Sequence, residues 1–149
     1  MTRETEQSEA LWALPNTLIQ TARGWAILCG ECDSCKALTF PTPPICPTCL
    51  GENISVRPID SQGRLYTYTI VHAARPGWNS PYGLAYVDFP EGVRICGPLD
   101  LPVSGKIQLD TAVDIGFGVL RKDVSGKEWF SHRFQQAKVD KKNQESEPV

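Results

Sequence analysis

The chain has 149 residues and a mass of 16.5 kDa, which fits one ordinary domain or two small modules and excludes a self-contained barrel enzyme. Hydrophobic residues make up 41% and charged residues 21%, so the body of the chain is expected to bury a core. The 15 basic and 17 acidic side chains give a net charge of -2, which argues against non-specific binding of nucleic acid.

Neither end of the chain has the composition of a targeting segment. No apolar run reaches the roughly 18 residues that span a bilayer, and the first nine residues lack the basic and apolar regions of a signal peptide. A cytoplasmic protein without membrane contact is therefore predicted. In that reducing compartment the six cysteines are expected to bind metal or to serve redox chemistry. Residues 1–10 and 135–149 are polar and charged, and are predicted to be flexible.

The first predicted module, residues 11–57, combines a short helix with a cysteine-containing ribbon. A helix is predicted over residues 8–14, with Ser8 as its cap and Pro15 after its end. Residues 25–29 are a short apolar strand candidate. The proline-dense stretch that follows is incompatible with a helix.

The second predicted module, residues 58–134, has the alternating pattern of β-strands. Tyr66, Tyr68 and Ile70 are expected to share one face of the clearest strand. Five short strands favour a small closed barrel of the OB-fold type, because closure removes exposed sheet edges. A five-strand sandwich fragment is the alternative. The predicted strands cover residues 64–72, 82–89, 93–97, 111–120 and 128–134.

Two Cys-x-x-Cys pairs stand on either side of a ten-residue loop: Cys32 with Cys35, and Cys46 with Cys49. Four thiolates make a closed tetrahedral site, which suits Zn and leaves no open position for a substrate. Residues 29–57 contain few large apolar side chains, so a metal would supply folding energy that burial cannot. The spacing predicts one structural Zn, with iron in a rubredoxin-like electron carrier as the alternative.

The other two cysteines are interpreted as structural. Cys29 forms a third Cys-x-x-Cys motif with Cys32, so spacing alone does not fix the ligand set. Cys29 continues an apolar run and is predicted to pack as a small hydrophobic residue. Cys96 lies between Ile95 and Gly97 in a predicted strand, and packing is favoured there over a role as a nucleophile.

Further motifs accompany the cysteine pairs. They are Phe40-Pro41, the strand at residues 65–72, Pro76-Gly77-Trp78, and residues 80–88 with residues 91–94. Together these motifs resemble a family of OB-fold proteins with an N-terminal rubredoxin-like zinc ribbon, long described as a domain of unknown function and associated with acyl-CoA enzymes. The likeness covers roughly residues 11–134. The sequence departs from the family pattern at Lys36 and Leu50, where glycine is usual, and at Thr42, where proline is common. These departures concern turn geometry and leave the four thiolates in place.

The resemblance implies a non-catalytic accessory subunit. Family members are partners of thiolase-superfamily enzymes: archaeal acetoacetyl-CoA thiolase with hydroxymethylglutaryl-CoA synthase, steroid side-chain aldolases, and benzoylsuccinyl-CoA thiolase, which the overall likeness favours. In such complexes the small subunit packs on the thiolase-like chain and helps to hold CoA. The residues agree, since His72 and His132 are the only histidines and no Ser-His-Asp or Cys-His arrangement is evident.

A loop and a basic segment supply the candidate contacts. Trp78 is not required by any strand pattern and stands near Arg75, so Arg75, Pro76, Gly77 and Trp78 are predicted to touch the partner. The alternative is that Trp78 folds back as a lid on the barrel.

The basic side chains of the loop and the barrel are candidate ligands of CoA, because Arg and Lys bind phosphates through charge-assisted hydrogen bonds. A solvated surface is the simpler explanation of the arginine and lysine charges. The candidate CoA ligands are Arg75, Arg94, Arg121, Lys122 and Lys127.

A single-stranded nucleic-acid binder is the rival from another functional class. Zinc ribbons and OB-folds both occur in such proteins, and four tyrosines could stack on bases. These residues are Tyr66, Tyr68, Tyr82 and Tyr86. The acidic net charge argues against this function, so no nucleic-acid partner is expected.

Overall fold

The computed structural model describes residues 11–100 and 107–137, in which ten β-strands and no helix are formed. The mainly-β prediction is therefore confirmed. The strands are β1 Leu11–Trp12, β2 Leu18–Thr21, β3 Gly24–Cys32, β4 Leu38–Thr39, β5 Ile54–Ile59, β6 Gly63–Val71, β7 Tyr82–Asp88, β8 Arg94–Asp100, β9 Ala112–Lys122 and β10 Glu128–Gln136.

Strands β6 to β10 close into a five-stranded barrel. β6 pairs with β7, β7 with β8 and β8 with β10, while β9 pairs with both β10 and β6. The β8–β10 pairing is parallel and the other four are antiparallel. These five strands coincide with the five predicted from period-two patterns, and the closed ring excludes the sandwich alternative. The predicted OB-fold is confirmed.

The barrel and the ribbon share a single core. Leu65, Val87 and Phe134 fill the barrel interior with at most 1% of their surface exposed. Ile27 of β3 and Ile59 of β5 belong to the same buried cluster. Each of these side chains removes a large apolar surface from water, which is the main stabilising contribution available to so small a chain. The two predicted modules therefore depend on one set of apolar contacts.

The ribbon sheet is built around β3, the apolar strand that the sequence predicts at residues 25–29. β3 pairs with β2, β4 and β5, and its register with β5 runs from Ile27 opposite Ile59 to Cys32 opposite Ile54. β5 crosses the predicted boundary at residue 58. Its Pro58 is tolerated because β5 pairs with only one neighbour among the described residues, so a missing N–H need not break a second ladder.

The predicted helix at residues 8–14 is wrong over the residues that the structure describes, and residues 8–10 lie outside them. Leu11 and Trp12 form β1, which pairs in parallel with Trp129 and Phe130 of β10. The N–H of Ala13 donates to the carbonyl of Phe130 at 2.9 Å. A run of so few residues gains little as an isolated helix, so pairing with an existing sheet decides its conformation.

The expected alternation in β6 is interrupted by a β-bulge. The register with β7 shifts between Leu65 and Thr67. Tyr66 is consequently 51% exposed, whereas Tyr68 packs against the core and its hydroxyl accepts from the N–H of Ile107 at 3.4 Å. The prediction that Tyr66 and Tyr68 share a face is therefore wrong, because an inserted residue reverses the side-chain alternation.

The predicted flexible ends fall largely outside the described residues. β10 extends to Gln136, two residues beyond the predicted end of the barrel at residue 134, and residues 1–10 and 138–149 are not described. In the described part of the chain there is no helix with the length and apolar character needed to cross a membrane.

Candidate metal centre and ligand cavity

Two matched turns bring the four predicted ligand cysteines together. The N–H of Lys36 donates to the carbonyl of Cys32, and the N–H of Leu50 donates to the carbonyl of Cys46, both at 2.9 Å. Each turn thereby directs two sulfurs to one point. All four Sγ atoms, from Cys32, Cys35, Cys46 and Cys49, lie within 4.8 Å of one another.

The sulfur positions fit a tetrahedral ion. The Sγ atoms of Cys32 and Cys49 are 3.5 Å apart, and those of Cys35 and Cys46 are 3.6 Å apart. Four sulfurs at about 2.3 Å from a central Zn²⁺ would be separated by about 3.8 Å. Cys32 and Cys46 are buried while Cys35 and Cys49 face outward. A set of four thiolates is closed to substrate, so the site suits a structural ion.

Backbone amides favour the charged form of Cys46 and Cys32, whereas the pKa of Cys49 is lowered by the Gly51 N–H but raised overall, to about 12, by its contacts with the other cysteine sulfurs. The N–H groups of Cys49 and Thr48 lower the pKa of Cys46 to about 6, and the N–H of Thr48 lies 3.4 Å from the Cys46 sulfur. The N–H of Cys35 is the main group that lowers the pKa of Cys32. Metals bind the thiolate form, so Cys32 and Cys46, the first cysteine of each pair, are the sulfurs that the backbone favours as ligands.

The residues that replace the usual glycines adopt the left-handed conformation. Lys36 and Leu50 both have φ 64°. The sequence analysis predicted that these two departures affect turn geometry, and the positive φ values of Lys36 and Leu50 show that they do. Leu50 is 74% exposed, so burial of its side chain does little to offset the backbone cost.

Cys29 and Cys96 lie in opposite environments. Cys29 is fully buried in the common core, where desolvation raises its pKa to about 11, so its predicted packing is confirmed. Cys96 is exposed, and the prediction that it packs inside is wrong. Ile95 and Gly97 are buried on either side of it, so the alternation of β8 turns Cys96 outward.

A cavity of about 490 Å³ opens between the loop after β6 and the end of β9. The rings of Trp78 and Tyr82 stack there with centroids 5.3 Å apart and an angle of 28° between their planes. Arg75 and Arg121 also line it, and neither has a carboxylate within ion-pair distance among the described residues. The cavity therefore combines two uncompensated guanidinium groups with aromatic surface, which suits an anion that carries a flat ring. The lining residues are Ala73, Ala74, Arg75, Pro76, Trp78, Tyr82 and Arg121.

A backbone contact holds the loop against β9. The N–H of Lys122 donates to the carbonyl of Gly77 at 2.8 Å. Gly77 has φ 94°, and a Cβ at this position would collide with the carbonyl oxygen of Lys122. Only glycine satisfies both conditions without distortion. This close approach brings Arg75 and Arg121, which are distant in sequence, to the same cavity.

The other three predicted CoA ligands are placed differently. Arg94 makes two hydrogen bonds to Asp88, at 2.6 and 3.1 Å, and its guanidinium carbon lies 3.5 Å from the Tyr66 ring centroid. Its charge is already compensated, and it does not line the cavity. Lys122 contributes backbone contacts to the loop, and Lys127 lies at the tip between β9 and β10.

Trp78 folds back onto the start of β7, and its predicted contact with a partner stays a prediction. Its ring packs on Tyr82 and is half-buried, while it also forms part of the cavity wall. Sequence reasoning did not assign Tyr82 to this site. Its position at the strand start immediately after the loop is the available signal, but Tyr82 was interpreted as part of a strand pattern and as one of four tyrosines that could stack on nucleic-acid bases.

An aromatic cleft of about 610 Å³ marks the junction of ribbon and barrel. Trp25 of β3 lies 4.7 Å from Phe117 of β9, and Trp12 of β1 lies 5.9 Å from Phe117, measured between ring centroids. Phe130 completes the group at 5.7 Å from Phe117. None of the described residues that line this cleft is charged. It joins the two modules through ring contacts.

The four tyrosines do not offer the stacking surface that a nucleic-acid binder needs. Tyr68 is turned towards the core and Tyr82 is covered by Trp78. Arg94 lies over Tyr66, so only Tyr86, at 48% exposure, keeps an open ring face among the four. The described geometry therefore gives this rival function no support.

Comparison with known proteins adds an independent line of evidence. Residues 56–118 match the family described as the C-terminal OB-fold domain of ChsH2. The benzoylsuccinyl-CoA thiolase subunit BbsA of Thauera aromatica is 31% identical over 105 residues, which cover 70% of this chain and 72% of that protein. A DUF35 domain-containing scaffold protein of Pyrococcus furiosus is 34% identical over 90 residues, covering 54% of this chain and 65% of that protein.

A solved structure shows the same fold. The Ltp2-ChsH2(DUF35) aldolase has a TM-score of 0.62 at 24% identity, covering 76% of this chain and 86% of that chain. The paired cysteine turns, the closed five-stranded barrel and the sequence similarity lead to one conclusion. This chain belongs to the DUF35 family of OB-fold proteins.

Proposed function

We propose that this chain is a non-catalytic accessory subunit of a thiolase-superfamily enzyme, which it stabilises and whose CoA-thioester site it helps to form. The observation that carries the proposal is the cavity with Arg75 and Arg121, which offers unpaired positive charge beside aromatic rings. The named relatives support it, since they include a thiolase subunit and scaffold proteins.

The chemistry of carbon-carbon bond formation or cleavage is assigned to the partner. His132 is 4% exposed, and its Nε2 donates to the carbonyl of Cys96 at 2.8 Å, so it is not available to a substrate. His72 is exposed, and among the described residues no nucleophilic side chain is hydrogen-bonded to it. The hydroxyl of Ser131 lies 3.5 Å from Nδ1 of His132, but both side chains are buried and neither lines a described cavity, whereas acyl transfer requires a nucleophile and base that a substrate can reach.

The nucleotide end of CoA is the part that this cavity would bind. Guanidinium groups form paired hydrogen bonds with phosphate oxygens, and adenine stacks on aromatic or guanidinium planes. Arg75 and Arg121 are proposed to meet the phosphates, and Trp78 the base. Arg94 is not included, because Asp88 already neutralises it.

The partner enzyme is proposed to cover the loop around this cavity. Arg75, Pro76 and Gly77 are exposed, and Trp78 is half-buried, so the loop presents an aromatic residue beside a charge. Such combinations are frequent at the centres of protein interfaces. A thiolase-like chain placed there would close the CoA site from the other side. The similarity to BbsA supports the benzoylsuccinyl-CoA type of complex.

The ion held by the four cysteines is proposed to be Zn, with one per chain and a structural role. Cys32, Cys35, Cys46 and Cys49 provide the donor set that Zn prefers, and all six cysteines are free of disulfides. This state agrees with the reducing cytoplasm that we propose as its location. Bound Zn would fix both turns without taking part in the reaction.

A co-expression experiment tests the proposal. The tagged full chain should co-purify with a thiolase-like protein of its own organism, and the complex should bind CoA. Replacing Arg75 and Arg121 together by alanine should weaken CoA binding by roughly 10- to 100-fold, the loss expected for two charge-assisted contacts. Arg94→Ala is the matched control and should leave CoA affinity within about twofold. Equal losses in both variants, or a purified chain that turns over a thioester alone, would contradict the proposal.

A further inference from the structure

The tip between β9 and β10 is organised by one carboxylate. Oδ1 of Asp123 accepts hydrogen bonds from the N–H of Ser125 at 2.9 Å, from its hydroxyl at 2.6 Å, and from the N–H of Lys127 at 3.1 Å. The Ser125 hydroxyl is the main group that lowers the pKa of Asp123 to about 2. The carboxylate is therefore charged at neutral pH and fully engaged at this oxygen.

The second oxygen of Asp123 makes a contact that the turn itself does not need. Oδ2 accepts from Nε1–H of Trp129 at 3.3 Å, which fixes the indole ring near the start of β10. The guanidinium of Arg121 lies over that ring, with its central carbon 4.6 Å from the ring centroid. Arg121 in turn lines the cavity with Arg75. A continuous series of contacts thus joins Asp123 to the cavity through Trp129 and Arg121.

We propose that Asp123 is a positioning residue, which holds the Trp129 ring as a platform that orients Arg121 towards a phosphate group in the cavity. This inference rests on the proposed function, because it takes the nucleotide end of CoA as the ligand. The ordered guanidinium loses less conformational freedom when the phosphate binds, so affinity rises without a further direct contact.

The geometry separates this role from simple turn formation. The turn bonds all go to Oδ1 of Asp123, whereas the Trp129 bond goes to Oδ2. Trp129→Phe keeps an aromatic ring and every turn bond but removes the indole N–H. Asp123→Asn keeps one acceptor for the turn and places an amide donor opposite the indole N–H, so the second contact is lost. Both variants should release Arg121 while the tip remains folded.

The probe is adenosine 3′,5′-bisphosphate, titrated calorimetrically into the purified full chain, since the proposed phosphate and base contacts, Arg75, Arg121 and Trp78, all belong to this chain. Asp123→Asn and Trp129→Phe should each weaken binding by about fivefold to tenfold. In a chain that already carries Arg121→Ala, the same changes should have no further effect beyond about twofold, because the residue through which they act is absent. Asp100→Asn is the control for charge, since Asp100 is exposed and only 3.9 Å from Arg133. It should leave the affinity unchanged.

A second measurement does not depend on the ligand. In the proton NMR spectrum the side-chain protons of Arg121 should be shifted upfield by the Trp129 ring, and the shift should disappear in Asp123→Asn while the Ser125 and Lys127 amides keep their positions. Persistence of the shift, or losses of affinity that multiply in the Arg121→Ala background, would overturn the positioning role alone. Failure of the unmodified chain to bind the bisphosphate would overturn the proposed ligand and the positioning role together.

Discussion

The ring of Phe40 in the ribbon meets the imidazole of His132 in the barrel edge-on, with centroids 5.3 Å apart and planes at 85°. His132 also lies 5.8 Å from the Phe134 ring. A neutral imidazole is thus enclosed between aromatic side chains from both modules. The contact belongs to the junction that holds the ribbon on the barrel, and it makes the junction sensitive to protonation.

Acidification should destabilise the fold through His132. Burial lowers the pKa of His132 below its usual 6.5, so the folded chain binds this proton more weakly than the unfolded chain. The free energy of unfolding should therefore decrease as the pH falls below about 6.5. Thermal unfolding between pH 5 and pH 8 measures the effect. His132→Gln should flatten the dependence, whereas His72→Gln, at an exposed position, should preserve it. Equal slopes in all three proteins would refute this assignment.

Removal of one ligand cysteine should abolish metal binding. Cys46→Ser replaces a buried sulfur whose pKa the backbone lowers to about 6, and three thiolates no longer close the tetrahedron. Elemental analysis should find one equivalent of Zn in the unmodified chain and none in the variant, whose unfolding temperature should also fall. Cys96→Ser is the matched control and should retain the full metal content. Iron in place of Zn, or metal retained in Cys46→Ser, would contradict the expectation.

Leu50→Gly should stabilise the metal-loaded chain. A non-glycine residue in the left-handed region costs roughly 1–2 kcal/mol, and the greater freedom of glycine in the unfolded chain offsets about 0.5–1 kcal/mol of the relief. Because Leu50 is 74% exposed, losing its side chain removes little packing. A gain of about 0.5–1 kcal/mol should appear in urea denaturation. Leu50→Ala keeps the Cβ and should show no gain, so a similar gain there would assign the effect to the lost side chain.

Gly77→Ala should disturb the cavity, while Gly126→Ala should not. Both glycines have positive φ, 94° and 86°, but only at Gly77 would a Cβ collide with a backbone atom, the carbonyl oxygen of Lys122. By the same balance of backbone strain and unfolded-state freedom, Gly126→Ala should cost about 0.5–1 kcal/mol. Gly77→Ala should cost more, change the fluorescence of Trp78 and weaken binding of the bisphosphate. Identical stabilities and affinities in the two variants would show that the close approach is unimportant.

The parts of the fold that depend on local pattern were predictable from the sequence. Period-two alternation located all five barrel strands, and two Cys-x-x-Cys pairs identified the residues that the structure brings together. β1, β2, β4 and β5 were not found, because the first three have only two to four residues, too few for a pattern, and Pro58 argues against β5 as a strand. The bulge at Tyr66 was hidden as well, since it arises from pairing with β7 and not from the sequence of β6.

The candidate ligand site required tertiary structure. Arg94 and Arg121 are equivalent as sequence signals, yet Asp88 neutralises the first and the fold places the second at a cavity beside Arg75. Which arginine remains unpaired is decided by cross-strand neighbours, and a linear pattern does not contain that information. The contact between Asp123 and Trp129 was not predicted, because it spans the hairpin tip.

The apolar contacts that Ile27, Cys29 and Ile59 make with the barrel interior have a consequence for the stability of the chain in a cell. We expect no stable half-folded state in which the barrel survives while the ribbon unravels, because the barrel would then expose its own interior to water. Ion supply would therefore govern the abundance of the whole polypeptide. When metal is scarce, proteases should degrade the unfolded chain, and any enzyme that depends on this chain would lose it at the same time.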